Sequence, residues 1–212
     1  MMKKIILAVP KGRILEELEP LLKKIAIIPE SEFFNEHSRK LTFSTNFSNL
    51  EIIKVRSFDV ASFVRFGGAD IGICGKDVLE EFSSSEFYSI LDLKIGKCRL
   101  SLAKQSDCQK NLLTLKNIRV ATKYTKITQE YFAKNGIQAE IIKLNGAIEI
   151  APKLNLCDFI VDLVSSGKTL QENNMIEVEK ILDVSSYLIV NRTALKTKNI
   201  DINQFIKMFD VY

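Results

Sequence analysis

The stretch Phe159 to Leu170, FIVDLVSSGKTL, carries the residue types best able to do chemistry. An apolar strand runs into a carboxylate, Asp162. The small residues Ser165, Ser166 and Gly167 follow, then Lys168 and Thr169. The pattern misses by one residue the loop G-x-x-x-x-G-K-T that cradles nucleotide polyphosphates, because Asp162 stands where the first glycine belongs. A carboxylate there repels a polyphosphate. It can instead accept hydrogen bonds from vicinal sugar hydroxyls, one sugar length from a terminal phosphate. That phosphate would be held by the uncovered N–H groups of Ser165, Ser166 and Gly167 and by the Thr169 hydroxyl. The loop therefore suits a ribose 5-phosphate better than the β-phosphate of ATP. The same small residues also make an ordinary strand-to-helix connector.

The elements that must position this loop alternate between strand and helix. An apolar, β-branched run predicts a strand over 3–9, followed by the turn PKGR. Apolar residues at helical spacing predict a helix over 14–25, with Pro20 forcing a kink or a late start. Strands are expected over 41–44 and 51–55, and a helix over 58–66 that Ser57 caps and Gly67 and Gly68 end. A buried strand over 69–74 and a helix over 76–82 follow. Past a Ser-rich break at 83–85, two strands are expected over 88–93 and 97–103. The rhythm then resumes with a strand over 118–121, a helix over 126–135, a strand over 139–143, a short helix over 147–154 and the strand over 159–163. Strands over 176–184 and 187–190 and a last helix over 202–212 complete the chain. These are two α/β clusters of similar size, with strand segments near 88–103 and 176–190 able to carry the chain between them. The expected fold is α/β, a two-lobed type II periplasmic-binding-protein-like fold with a central cleft, the second lobe inserted into the first. Residues 1–93 plus 184–212 form domain I, and 94–183 form domain II with the Asp162 loop.

Composition removes several functional classes. The 212 residues are 46% hydrophobic and 26% charged, as in an ordinary folded domain. A net charge of +4 is too small an excess to argue for a nucleic-acid partner. The apolar run 5–9 is too short for a signal peptide, and the longest charge-free run, 41–50, is too short to span a membrane. Cys74, Cys98, Cys108 and Cys157 form no C-x-x-C pair, so reduced thiols in a cytoplasmic protein are expected. His37 is the single histidine, and a Ser-His-Asp triad or multi-His metal site would depend on it alone.

Acid, small residues, Gly and Thr after an apolar strand resemble the ribose-phosphate loop of phosphoribosyltransferases. Many of those loops carry two adjacent acids. Here Leu163 takes the second place, and the upstream carboxylates Glu149 and Asp158 are the candidates to substitute. Nearly the whole chain is similar to one such family, ATP phosphoribosyltransferase, the first enzyme of histidine biosynthesis. AVPKGRILEE matches its opening strand–loop–helix, and SRKL its next landmark. VRSFDVASFVRFGGADIGICGKDVLEE resembles its R-x-x-D-I-P-x-x-V … G-x-x-D-x-G-I-x-G-x-D block. DLKIGKCRLSLA resembles its domain crossover, and RVATKYTKITQEYFAKNGI and SSYLIVNR its later segments. Val60-Ala61 replaces the usual Ile-Pro, and Ser166 stands where Thr is common; neither change removes a required group. The length resembles the short form. That form implies a separate histidyl-tRNA-synthetase-like regulatory subunit and a homodimer or larger assembly.

The resemblance implies attack of adenine N1 of ATP on C1 of 5-phosphoribosyl 1-pyrophosphate, with pyrophosphate leaving through an oxocarbenium-like transition state. Asp162, Glu149 and Arg56 are then the candidate catalytic residues. Asp158, Asp162, Ser165, Ser166, Gly167, Lys168 and Thr169 are the candidates for the ribose phosphate. Lys11, Gly12, Arg13, Arg39, Arg56 and Gly75 are those for ATP and pyrophosphate, with Lys76 as a further cation. Mg²⁺ bridging the pyrophosphate is the expected cofactor, with no protein ligand assigned. Adenine N1 already has a lone pair, so positioning matters more than a general base. Three other readings stay open. They are a ligand-binding module of the type II periplasmic-binding-protein kind, a nucleobase phosphoribosyltransferase and, least in keeping with Asp162, a P-loop kinase.

Overall fold

A computed structural model describes residues 3–35, 37–110 and 117–209. The chain divides into two compact units, Met1–Gly96 with Ser185–Tyr212, and Lys97–Val184. In the first unit, β1 (Ile5–Pro10), β3 (Leu50–Val55) and β4 (Ile71–Gly75) lie parallel, with β1 in the middle. β2 (Thr42–Ser44), β5 (Phe87–Asp92) and β11 (Ser186–Asn191) complete the sheet in the order β2-β3-β1-β4-β11-β5. Strands covered on both faces cannot alternate in polarity, which is why β1 and β4 read as continuous apolar runs. Gly72 of β4 leaves the space that Val60 and Val64 of α2 (Ser57–Arg65) occupy; a Cβ there would lie 2.8 and 2.7 Å from their methyl groups.

Helix α1 (Arg13–Lys24) buries Leu18 and Leu22 and runs through Pro20. Pro20 sits on the exposed face, where water can take the carbonyl that loses its N–H partner. Ser57 proves to be the first helical residue of α2, with Arg56 at the cap. α3 (Lys76–Phe82) follows β4 directly. At the other end, α7 (Asn199–Phe209) is the helix expected over 202–212, begun three residues earlier, and α6 (Arg192–Thr197) is a further short helix that was not expected. Asn191 ends β11 and also caps α6, accepting from the Ala194 N–H at 2.8 Å. Residues 210–212 of that expected helix lie outside the described residues.

The second unit holds β6 (Cys98–Gln105), β7 (Asn117–Thr122), β8 (Gln138–Lys143), β9 (Phe159–Val164) and β10 (Met175–Val184) in the order β10-β6-β9-β7-β8. β7, β8 and β9 are parallel; β6 runs against β9 and β10. α4 (Thr125–Lys134) and α5 (Lys168–Glu172) connect them. The helix expected over 147–154 is only a 3₁₀ turn, Ile148–Ile150. Ala147 takes a left-handed conformation at φ 51°, and Pro152 cannot donate to a helical ladder.

Candidate active site

Each unit presents a cluster of turns at the C-terminal edge of its parallel strands, the edge where open α/β sheets bind ligands. In the first unit, β1 and β3 end level, Pro10 opposite Val55, and the Lys11 N–H donates to the Val55 carbonyl at 3.0 Å. This register brings Lys11, Gly12, Arg56 and Gly75 to one edge. Gly12 supplies φ 87° at the turn into α1, and nothing lies within 4 Å of where its Cβ would be. A cavity of ≈ 260 Å³ opens there, lined by Lys11, Gly12, Leu15, Glu19, Ser38 and Lys54 among others. Glu19 is paired with Lys23 at 2.7 Å.

Lys54 is the residue the motifs did not single out. It is 5% exposed. Its Nζ donates to the Phe33 carbonyl and lies 5.3 and 4.9 Å from the ring centroids of Phe33 and Phe43. Among the described residues it has no carboxylate partner. Burial, and then the charge of Lys11, depress its pKa. A buried cation held by a carbonyl and two rings, with a second cation beside it, favours an incoming anion.

The other expected basic residues differ in how open they are. Arg56 is exposed at the start of α2 and makes no ion pair among the described residues. Arg39 is exposed, one residue after Ser38. Arg13 is engaged within the unit: it donates to the Gly96 carbonyl at 3.3 Å and lies 3.8 Å from Glu17. Lys76 ties its N–H to the Ser185 carbonyl at 2.9 Å. Gly75 has an ordinary φ of −66°; its missing Cβ makes room for the Asp77 carboxylate, which a methyl would meet at 2.2 Å.

In the second unit, Thr122 ends β7 opposite Val161, so Asp162 stands one residue beyond that strand. Asp162 faces Ser101 across β6 and accepts from its neighbour's N–H, Leu163, at 2.8 Å. Ser165 and Ser166 are exposed, and Gly167 turns the chain at φ 81° with only a Val164 methyl, 4.0 Å away, near its Cβ position. The Lys168 N–H points at the Ser166 hydroxyl, 3.4 Å. Lys168 and Thr169 are exposed. The Glu149 turn follows β8 and so belongs to the same edge. Asp158 does not. It precedes β9 at the opposite edge, ion-paired with Lys110 and accepting from the Arg119 N–H at 2.7 Å. Burial opposes its ionisation, but Lys110 and that N–H outweigh it and hold the carboxyl below its usual range. The expected role of Asp158 at the ribose is therefore withdrawn: the six residues of β9 lie between it and Ser165, seven steps of extended chain or about 23 Å.

A sequence profile of the ATP phosphoribosyltransferase family matches residues 56–210. The chain belongs to this family. The ATP phosphoribosyltransferase of Rhodospirillum rubrum is 52% identical over 208 residues, covering 97% of this chain and 92% of the relative. That of Paramagnetospirillum magneticum is 50% identical over 208 residues, covering 97% and 95%. Among solved structures, a chain of the Thermotoga maritima ATP phosphoribosyl transferase (HisG:HisZ) complex superimposes with a TM-score of 0.80 at 31% identity, covering 97% of this chain and 96% of that one. The alkanesulfonate-binding protein SsuA of Xanthomonas axonopodis shares the fold alone, with a TM-score of 0.60 at 10% identity over 99% of this chain and 72% of its own. The fold is thus the type II periplasmic-binding-protein fold put to use by an ATP phosphoribosyltransferase.

Proposed function

We propose that the two turn clusters divide the substrates of the reaction between them. The chain is an ATP phosphoribosyltransferase: it condenses ATP with 5-phosphoribosyl 1-pyrophosphate, giving N1-(5-phosphoribosyl)-ATP and pyrophosphate, the first step of histidine biosynthesis. The turn of Ser165, Ser166, Gly167, Lys168 and Thr169 holds the 5-phosphate, and Asp162 accepts from the ribose hydroxyls. Glu149, on the same edge, is the second carboxylate. Negative charge on this side also favours the cationic sugar of the transition state. Lys11, Lys54 and Arg56 take the anionic groups of ATP and pyrophosphate.

The observation that carries this reading is the carboxylate in the C-terminal half of β9, followed by a turn left open at Gly167. Mg²⁺ is the expected cofactor and would be held mainly by the pyrophosphate oxygens. Among the described residues no three His, Cys, Asp or Glu side chains gather into a protein cage. When bound, it would neutralise charge on the departing pyrophosphate. A HisZ-type regulatory subunit, the synthetase-like partner of short-form enzymes, completes the proposal; the Thermotoga maritima chain was solved in a HisG:HisZ complex. The test is the ultraviolet signal of the N1-substituted adenine. The chain is mixed with ATP, 5-phosphoribosyl 1-pyrophosphate, Mg²⁺ and pyrophosphatase, with and without a co-expressed partner. Signal that needs both substrates and Mg²⁺, and rises with the partner, is expected. No signal in either condition from folded protein would overturn the proposal.

A further inference from the structure

Arg99 of β6 sits beside the phosphate turn without belonging to it. Its Nε and Nη2 donate to the two carboxylate oxygens of Glu177, at 2.6 and 2.5 Å. Its Nη1 donates to the carbonyl oxygen of Ser165 at 3.2 Å. Glu177 Oε1 also accepts from the Ser101 hydroxyl at 2.7 Å, and Ser101 is fully buried opposite Asp162. The register of β10 shifts between Glu177 and Glu179, placing Glu177 opposite Ala103 with its carboxylate running along β6. β6 and β10 are thereby tied to the first residue of the turn.

In a trans peptide the C=O and the next N–H point in opposite directions within one plane. Fixing the Ser165 carbonyl therefore fixes the Ser166 N–H on the other side. A guanidinium on the oxygen also polarises that N–H toward an anion. We propose that Arg99 is a positioning residue for the sugar-phosphate turn: held by Glu177, it grips the Ser165 carbonyl and aims the Ser166 N–H at the 5-phosphate. This role rests on residues 165–169 being the sugar-phosphate turn.

Stability and positioning make different demands on this pair. The side chains of Arg99 and Glu177 keep 34% and 27% of their exposure, and ion pairs this wet contribute little to stability. Arg99→Lys keeps the charge but cannot serve both Glu177 oxygens and Ser165 at once. On the full chain, Arg99→Lys is expected to raise the Kd of ribose 5-phosphate by calorimetry about tenfold, the loss of one charge-assisted hydrogen bond. In the assayed enzyme the KM for 5-phosphoribosyl 1-pyrophosphate should rise in step, with the KM for ATP within about twofold and the Tm nearly unmoved. Glu177→Gln, which keeps the size but loses the fork, should give the same pattern more weakly and serves if Arg99→Lys does not fold. Thr169→Val is the control for the turn itself. If Thr169→Val weakens ribose 5-phosphate while Arg99→Lys leaves it unchanged, or raises both KM values equally, the positioning role is overturned and the turn assignment stands. If neither variant weakens ribose 5-phosphate, the turn assignment fails and the role of Arg99 with it.

Discussion

The two turn clusters use one backbone device for two chemistries. Each lies past the ends of parallel strands, and each turns on a glycine with positive φ, Gly12 at 87° and Gly167 at 81°. In both, the space above the glycine is left open. The surroundings then diverge. The first unit gathers side-chain cations, Lys11, Lys54 and Arg56, one of them buried. The second offers backbone N–H groups and a carboxylate, with its nearest guanidinium committed to a carbonyl and to Glu177. Point charges suit anionic groups that must bind and leave, because they attract without demanding one geometry. Fixed amides beside an acid suit a sugar monophosphate, whose hydroxyls need acceptors and whose phosphate needs donors at a set distance.

The sharpest break in this contrast should come from Asp162→Ala. On the proposed assignment it removes the acceptor for the ribose hydroxyls and the charge facing the cationic sugar. Steady-state kinetics should show kcat/KM for 5-phosphoribosyl 1-pyrophosphate lowered by about 10²-fold or more, with circular dichroism unchanged. Lys54→Met should cost about 10- to 100-fold in kcat/KM for ATP, a lost charge contact in a dry site. Its Tm should change little, because it removes a buried cation that has no carboxylate partner among the described residues but leaves the Phe33 carbonyl without its donor. Gly75→Ala should act on stability. Its methyl would meet the Asp77 carboxylate, and urea unfolding should report a loss of about 1–3 kcal/mol.

The smallest effect is in pH. Arg99, and after it the Ser101 hydroxyl, outweigh burial and hold the Glu177 carboxyl below its ordinary 4.5. The folded state therefore binds this proton less readily than the unfolded chain. Its stabilisation is present above the ordinary value and fades as pH falls through the lower folded one. Thermal scans below about pH 4.5 should show a slightly smaller acid loss of Tm in Glu177→Gln than in the parent.

What could be read from the chain alone was what is local in it. Asp162, Ser165, Gly167 and Thr169 are near neighbours, and so are Lys11 and Gly12, so their turns announce themselves. Asp158 shows the limit. It lies close to Asp162 in sequence, but an extended strand carries it to the far edge of the sheet. Lys54 did leave a signal: in LEIIKV it is in phase with the buried Leu50 and Ile52, and a cation in the inward phase of a strand calls for a reason. Arg13 kept its place in the turn, yet its guanidinium is taken by the Gly96 carbonyl, a partner 83 residues away. The Arg99–Glu177 brace joins residues 78 apart, and no spacing along the chain could show it.

The division of labour between the clusters is tested most directly by crossing two probes with two variants. Calorimetry would measure ribose 5-phosphate and pyrophosphate, the latter with Mg²⁺, on the parent chain, on Asp162→Ala and on Lys54→Met. Asp162→Ala should weaken ribose 5-phosphate and spare pyrophosphate, and Lys54→Met should do the reverse. Equal weakening of both probes by either variant would contradict the assignment of one substrate group to each cluster.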